Sequence, residues 1–487
     1  MLRVTSWNQW ERTPYQVRSL WLQQALDAFP EDRPSRAQGS LKADICIVGG
    51  GFVGLWTAWH LMEADAGLDI AIVEADICGG GASGRNTGQI LPLWSKIKTL
   101  EGVAGRSEGG WIARASEEAM GVIESFCNRS AAKIGFRKSG WLWLASAQAQ
   151  ESTWDRLLEE CAEHGATPFT RVSAEEGNAR TGSNVYRGGV FMPGAAMIQP
   201  AMLARELRRA LIERGVRVYE ESPMRSIESR HGGAVVRTPG AGIDASKVVL
   251  ALGGWSRGVR ELSNWIVTVG SEIIATEPIP KLLDESGWRG YEPVTNARLT
   301  LRYTRRTDDG RVLFGRAGTS LGFGSRVPST KFEQNPTSAR ALAAEMPRFV
   351  PSARDAKVTH AWIGPVDRTH DGLPVFGVLR SGRGRILYAA GFSGNGVGPA
   401  ILAARSLTSL ALGRDDKWGR IAFVNRKVKA WPPEPIRFLV GESVRHALTA
   451  KESREEEGKG VPWAQKLLAK LAPGGLGKDD TKRQKHV

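Results

Sequence analysis

Residues 43–48 read Ala-Asp-Ile-Cys-Ile-Val, a short apolar run rich in β-branched side chains that leads straight into Gly49-Gly50-Gly51-Phe52-Val53-Gly54. Such a run suits a buried parallel strand. Residues 55–62 then have the character of a helix, and a second apolar run, Ile70 to Val73, ends in Glu74, twenty residues past Gly54. Strand, G-x-G-x-x-G, helix, strand and terminal acid in this order constrain the chain to a dinucleotide-binding βαβ unit. Gly49 permits the tight turn, Gly51 admits a pyrophosphate to the backbone, and Gly54 allows the helix to pack on the strand. Phe52 and Val53 lie at the helix N-terminus, where the amides face the phosphates. Glu74 can accept hydrogen bonds from a ribose diol, with Ala75 beside it.

Composition narrows the class. Gly accounts for 57 of 487 residues and Trp for 17. Excess Gly fits close backbone approach around a large cofactor. No uncharged apolar run reaches about 18 residues, so no transmembrane helix is expected. The first 30 residues lack the apolar core and cleavage site of a signal peptide. Four Cys without CxxC spacing make neither a disulfide framework nor a zinc site. No His has metal-ligand spacing with another, and no metal is expected. A cytoplasmic protein with reduced thiols follows. His60, on the helix after the glycines, reads as a packing residue. The net charge of +15 concentrates toward the C-terminus. No Lys/Arg block with interleaved aromatics gives a strong nucleic-acid signal.

A second glycine cluster, GGGASGRNTGQILP, occupies residues 79–92 and includes Ser83, Gly84, Arg85, Asn86, Gly88 and Gln89. It resembles the corresponding loop of the FAD-dependent amine oxidoreductases of the D-amino-acid oxidase superfamily. The resemblance continues through Gly194–Pro200 and Met224, the glycine turn at Gly253 and Trp255, and Thr276–Pro278. It extends through Asp309–Gly315, Trp362–Arg368 with Gly364, Gly372–Gly377, and Gly391–Val397. It spans about residues 17–412 and looks nearest to γ-glutamylputrescine oxidases and putative aminophosphonate oxidoreductases.

That resemblance implies an α/β fold, α+β overall: a Rossmann-type FAD-binding domain joined to a mostly antiparallel β substrate domain. The expected segments are an N-terminal arm at 1–40, FAD-binding stretches at 41–100, 195–260 and 360–412, substrate-domain stretches at 101–194 and 261–359, and a basic helical extension and tail at 413–487. Helices are expected around 105–130, 150–165, 201–214 and 434–471, and strands at 140–145 and 299–303. Trp7, Trp10 and Trp21 suggest an arm packed on the body.

The implied activity is oxidation of a C–N bond in an amine or N-substituted amino acid, by hydride transfer to flavin followed by imine hydrolysis. This chemistry needs a positioned C–H and a tuned ring rather than a triad. The expected partners are a small amine substrate, with an anionic group open, and oxygen or another electron acceptor. Met224 would lie near the adenine, and Gly394, Asn395, Gly396 and Val397 would cap the isoalloxazine, with Asn395 where many relatives carry His. No Cys occurs in the 362–366 stretch, so FAD is expected to be non-covalent. Leu313 stands where the sarcosine-oxidase branch places an oxygen-activating Lys. Tyr303 and Arg302 are the expected catalytic contacts besides Asn395, with Arg305, Arg306 and Arg368 as further anion contacts. Strand alternation allows only one of Arg302 and Tyr303 to face the cavity.

The extension from residue 434 reads as dispensable for flavin chemistry, and the run Lys451–Glu457 as a solvated helix face. Its amphipathic end reads as a helix docked on the body or on a partner subunit, with a membrane or RNA contact through the basic tail as the alternative role.

Overall fold

The computed structural model describes residues 2–3, 19–325 and 335–472; Trp7 and Trp10 lie outside them. Among the described residues, a nine-stranded sheet carries a parallel core in the order Arg217–Tyr219, Ile70–Val73, Gly39–Val48, Ala241–Leu250 and Ile386–Ala390. Residues 45–48 and 70–73 are buried throughout: helices cover one face of these strands, and the other packs on Met224, Leu252, Val259 and Leu262. The helix Phe52–Ala64 is apolar nearly all round. It is enclosed between the sheet and the helices Pro200–Glu213 and Pro399–Leu412. His60 sits at its margin, with Nδ1 3.1 Å from Glu63.

A second, eight-stranded sheet is antiparallel except where Val294–Asn296 runs parallel to Trp141–Leu144. Its other strands include Val267–Thr276, Arg302–Arg306 and Val312–Leu321. Helices form at Arg106–Arg129 and Asp155–Glu163, within the stretches the resemblance implies. The strand Val358–Arg368 pairs with Val267–Thr276 along its whole length. Residues 360–368 therefore belong to the antiparallel sheet. The end of this strand packs on the turn Gly253–Gly258 from the first sheet, so the two sheets meet there.

Two further segments depart from expectation. The strand anticipated over 299–303 forms instead at Arg302–Arg306. Leu299 and Thr300 are drawn out of the sheet because their backbone N–H groups donate to the buried Glu452 carboxylate, at 2.6 and 3.3 Å. The C-terminal helix Ile436–Glu456 is correspondingly docked rather than solvated, and Glu452 is 3% exposed. The short helix Trp463–Lys470 packs behind it. No helix among the described residues is long and apolar enough to cross a membrane.

Candidate active site

A continuous cavity of about 920 Å³ runs between the two sheets. Its lining includes Gly49, Gly51, Phe52, Val53, Glu74 and Ala75, together with Met224, Gly253 and Trp255. Gly49 has φ +115°, and a Cβ there would lie 2.3 Å from the Ala251 carbonyl. Only glycine serves this turn. Phe52 N donates to Ser83 Oγ at 2.9 Å, which joins the first glycine loop to the second. Gly51, the N-cap of this helix, has no side chain to cap it, and Gly51, Phe52 and Val53 line the cavity. Glu74 accepts from Gly50 N at 2.6 Å and from Asp76 N at 2.9 Å. Burial pushes its carboxyl up to about 7.

The second glycine loop is held by the N-terminal helix Leu20–Ala28. Ser19 Oγ donates to Gly84 O at 2.6 Å, and Trp21 Nε1 donates to Asn86 O at 2.9 Å. Arg85 Nε donates to Gly80 O at 2.8 Å, and Trp362 Nε1 donates to Arg85 O at 2.9 Å, tying the loop to the antiparallel sheet. The Asn86 side chain folds back on its own loop: Nδ2 donates to Ala82 O and Ser83 O, and Oδ1 accepts from Gly88 N. Ser83, Arg85, Asn86 and Gln89 line the cavity, whereas Gly54, Gly84 and Gly88 do not. These three act by close packing: a Cβ at Gly54 would lie 2.0 Å from the Gly49 carbonyl.

Farther along, Gly364 and residues 394–397 line the cavity just before the helix Pro399–Leu412. Asn395 Nδ2 donates to Leu91 O at 3.0 Å. Asp367, which the sequence reading did not single out, accepts Gly391 N at 2.6 Å and so shapes this turn. Burial pushes its carboxyl up to about 6. Its only sequence signal is its place in the stretch 362–368.

Tyr303 lines the cavity and Arg302 does not. Tyr303 Oη lies 2.7 Å from Ser271 Oγ and donates to Glu272 O at 3.2 Å. Burial pushes this hydroxyl well above its ordinary range. Arg302 points to the other side, where Nε donates to Glu345 at 2.7 Å and Nη1 to Thr300 O at 2.7 Å. That placement corrects the expectation of a catalytic Arg302: strand alternation turns it away. Arg305 donates to Thr87 O and Ile198 O, and Arg306 to Asp284 and Trp288 O, so neither reaches the cavity. Of the proposed anion contacts, Arg368 lines it. Leu313 is fully buried, outside the cavity lining.

The lining suits an extended FAD. A Cβ added at Gly253 would meet nothing within 4 Å, and one at Gly394 only Val366 at 3.8 Å. Side chains there would project into open space, so their absence leaves bare backbone facing the cavity. None of the four cysteines lines it. Among the described residues no group of three or more His, Cys, Asp or Glu is placed to hold a metal ion.

Comparison with known proteins agrees with this geometry. Residues 44–410 match the family described as FAD dependent oxidoreductase. The γ-glutamylputrescine oxidoreductase of Escherichia coli K12 is 28% identical over 386 residues, 79% of this chain and 87% of the relative. A probable oxidoreductase, OrdL, of Rhizobium meliloti is 29% identical over 384 residues, 77% of this chain and 84% of that one. Among solved structures, glycine oxidase from Geobacillus kaustophilus superposes with a TM-score of 0.64 at 22% identity, covering 77% of this chain and 96% of that one.

Proposed function

The chain belongs to the family of FAD-dependent oxidoreductases and takes FAD as its cofactor, and from that premise we propose that it oxidises the C–N bond of an amine or N-substituted amino acid. The observation that carries this reading is the shared cavity, in which the dinucleotide cradle ending at Glu74 is continuous with Tyr303, Asn395 and Arg368. The relatives act, by their names, on γ-glutamylputrescine and glycine. Both are amines that also carry a carboxylate.

Bound FAD supplies a two-electron acceptor for the hydride on the carbon beside nitrogen, and the resulting imine hydrolyses in water. The rest is positioning. Glu74 would hold the adenosine ribose through its carboxylate, and the Gly51 and Val53 amides, beside the Phe52–Ser83 bond, would hold the pyrophosphate. Met224 would pack at the adenine. Gly364 and residues 394–397 bring backbone to the ring, and the amides ahead of the Pro399–Leu412 helix favour negative charge there. With no cysteine in the lining, the cofactor is held without a covalent bond. Tyr303 stays neutral, its hydroxyl anchored to Ser271 and Glu272, and acts as a wall that sets the substrate against the ring. Arg368 receives an anionic substrate group, because a guanidinium matches a carboxylate fork. No general base is required when the amine arrives neutral.

An anaerobic screen of amines and N-substituted amino acids against the holoenzyme tests this. At least one should bleach the flavin and yield a carbonyl product. Bleaching by 2-hydroxy acids and by no amine would overturn it.

A further inference from the structure

The family match ends at residue 410, yet the cavity is lined beyond it by residues of the C-terminal extension. We propose, building on the amine-oxidising reading above, that the helix Ile436–Glu456 is the outer wall of the substrate cavity and that this wall selects amines carrying an extended apolar substituent.

The helix is fastened to the body. Glu452 accepts from Leu299 N at 2.6 Å, from Thr300 N at 3.3 Å, from Arg298 Nε at 3.2 Å and from Thr300 Oγ1. Glu456, one turn on, accepts from Arg298 Nη1 at 3.0 Å, from Arg348 at 2.6 Å and from Ser146 Oγ at 3.1 Å. Arg298 is 2% exposed, so its charge is satisfied by this helix and by Glu345 at 3.5 Å. A buried arginine robbed of its carboxylates is strongly destabilising, which makes the docked position the resting one. The segment so clamped, residues 299–301, lines the cavity two positions before Tyr303.

The face this fastening presents is apolar. Val440, Val444 and Leu448 from the helix meet Leu299, Leu301 and Leu321 from the body around the outer part of the cavity. Val444, Leu448 and Leu299 belong to one packed cluster. Gly441 brings the helix close, since a Cβ there would lie 2.5 Å from Leu321 Cδ2. The two arginines of this wall are already committed, Arg437 to Glu434 at 3.0 Å and Arg445 to Glu442 at 2.6 Å. A polar substituent placed against Val440, Val444 and Leu448 would surrender water and gain no hydrogen bond from these side chains. A hydrocarbon one gains roughly fourfold in affinity for each methylene fully buried.

The test uses the full-length holoenzyme and N-methyl-, N-butyl- and N-hexylglycine. Dissociation constants are read anaerobically from the perturbation of flavin absorbance, and bleaching is followed in the same samples. The hexyl compound should bind at least about tenfold more tightly than the methyl compound, reflecting partial burial of the chain. Val444→Ser should flatten that dependence, and Val440→Ser, at a half-exposed position tolerant of change, should reduce it as well. Trp463→Ser, at an exposed position outside the cavity, should leave it intact. Affinity independent of chain length, or a full dependence in both valine variants, overturns the wall. Chain-length-dependent binding without bleaching by any compound supports the wall and counts against amine oxidation. Bleaching with flat affinity does the reverse.

Discussion

Glu74 Oε2 accepts the Gly50 backbone N–H at 2.6 Å, so the acid that closes the second strand is tied directly to the glycine turn that closes the first. Glu74 also lines the cavity, where a ribose diol can donate to its remaining lone pairs. Glu74→Ala leaves those hydroxyls unpaired at a cost of about 1–3 kcal/mol. The FAD dissociation constant should rise roughly 5- to 150-fold, as measured by titrating apoprotein.

The same carboxyl gives a pH signature. Burial holds it at about 7 before FAD binds, and hydroxyl donors favour its ionised form. FAD binding should therefore release a proton below about pH 7, and affinity should rise as pH approaches that value. Calorimetry in buffers of different ionisation enthalpy measures the proton, and Glu74→Gln should abolish it.

Asp367 is 6% exposed and pushed up to about 6 by burial. The protonated form is favoured in the folded state, so its contribution to stability is present below the unfolded value near 3.8 and is lost as pH rises through 6. The loss is on the order of 3 kcal/mol across that window. Denaturant melts of the wild type should show this slope, and Asp367→Asn should flatten it.

Gly315 lies opposite Tyr303 on the neighbouring strand, and a Cβ there would sit 1.9 Å from the ring. Gly315→Ala must displace Tyr303. It should weaken amine binding and cost about 1–3 kcal/mol of stability while leaving FAD affinity unchanged. Tyr303→Phe keeps the ring and loses only the bonds to Ser271 and Glu272. It should lose about 0.5–1.5 kcal/mol and keep bleaching within roughly tenfold of wild type.

The dinucleotide unit was legible because every part of it is local: a buried strand, a turn with φ beyond the reach of side chains, and an acid at fixed spacing. The alternation of Arg302 and Tyr303 correctly allowed one cavity contact, but sequence could not say which. What chose Tyr303 is Glu345, more than forty residues away, holding Arg302 on the other face. The charge run Lys451–Glu457 escaped for a related reason. Glu452 and Glu456 are four apart and looked like part of a solvated charge run, although two like charges at that spacing repel on an exposed face. Arg298, a residue of the body, resolves the repulsion. Ser19 and Trp21 likewise support the second glycine loop across sixty-five residues of chain.

That docking revises the consequence of truncation. Ending the chain near Trp431 removes both carboxylates from Arg298 and opens the cavity. Such a protein should be destabilised by about 3–5 kcal/mol, read by denaturant unfolding. Glu452→Ala should lose more than Glu452→Gln, which keeps the acceptor oxygen for Leu299.

The central claim is a two-electron oxidation of a C–N bond by FAD held in this cavity. The most direct measurement is an anaerobic single turnover of holoenzyme with the best amine from the screen, following flavin absorbance and product together. One carbonyl product should form for each flavin bleached. Bleaching without C–N cleavage, or carbonyl formation while the flavin stays oxidised, would contradict it.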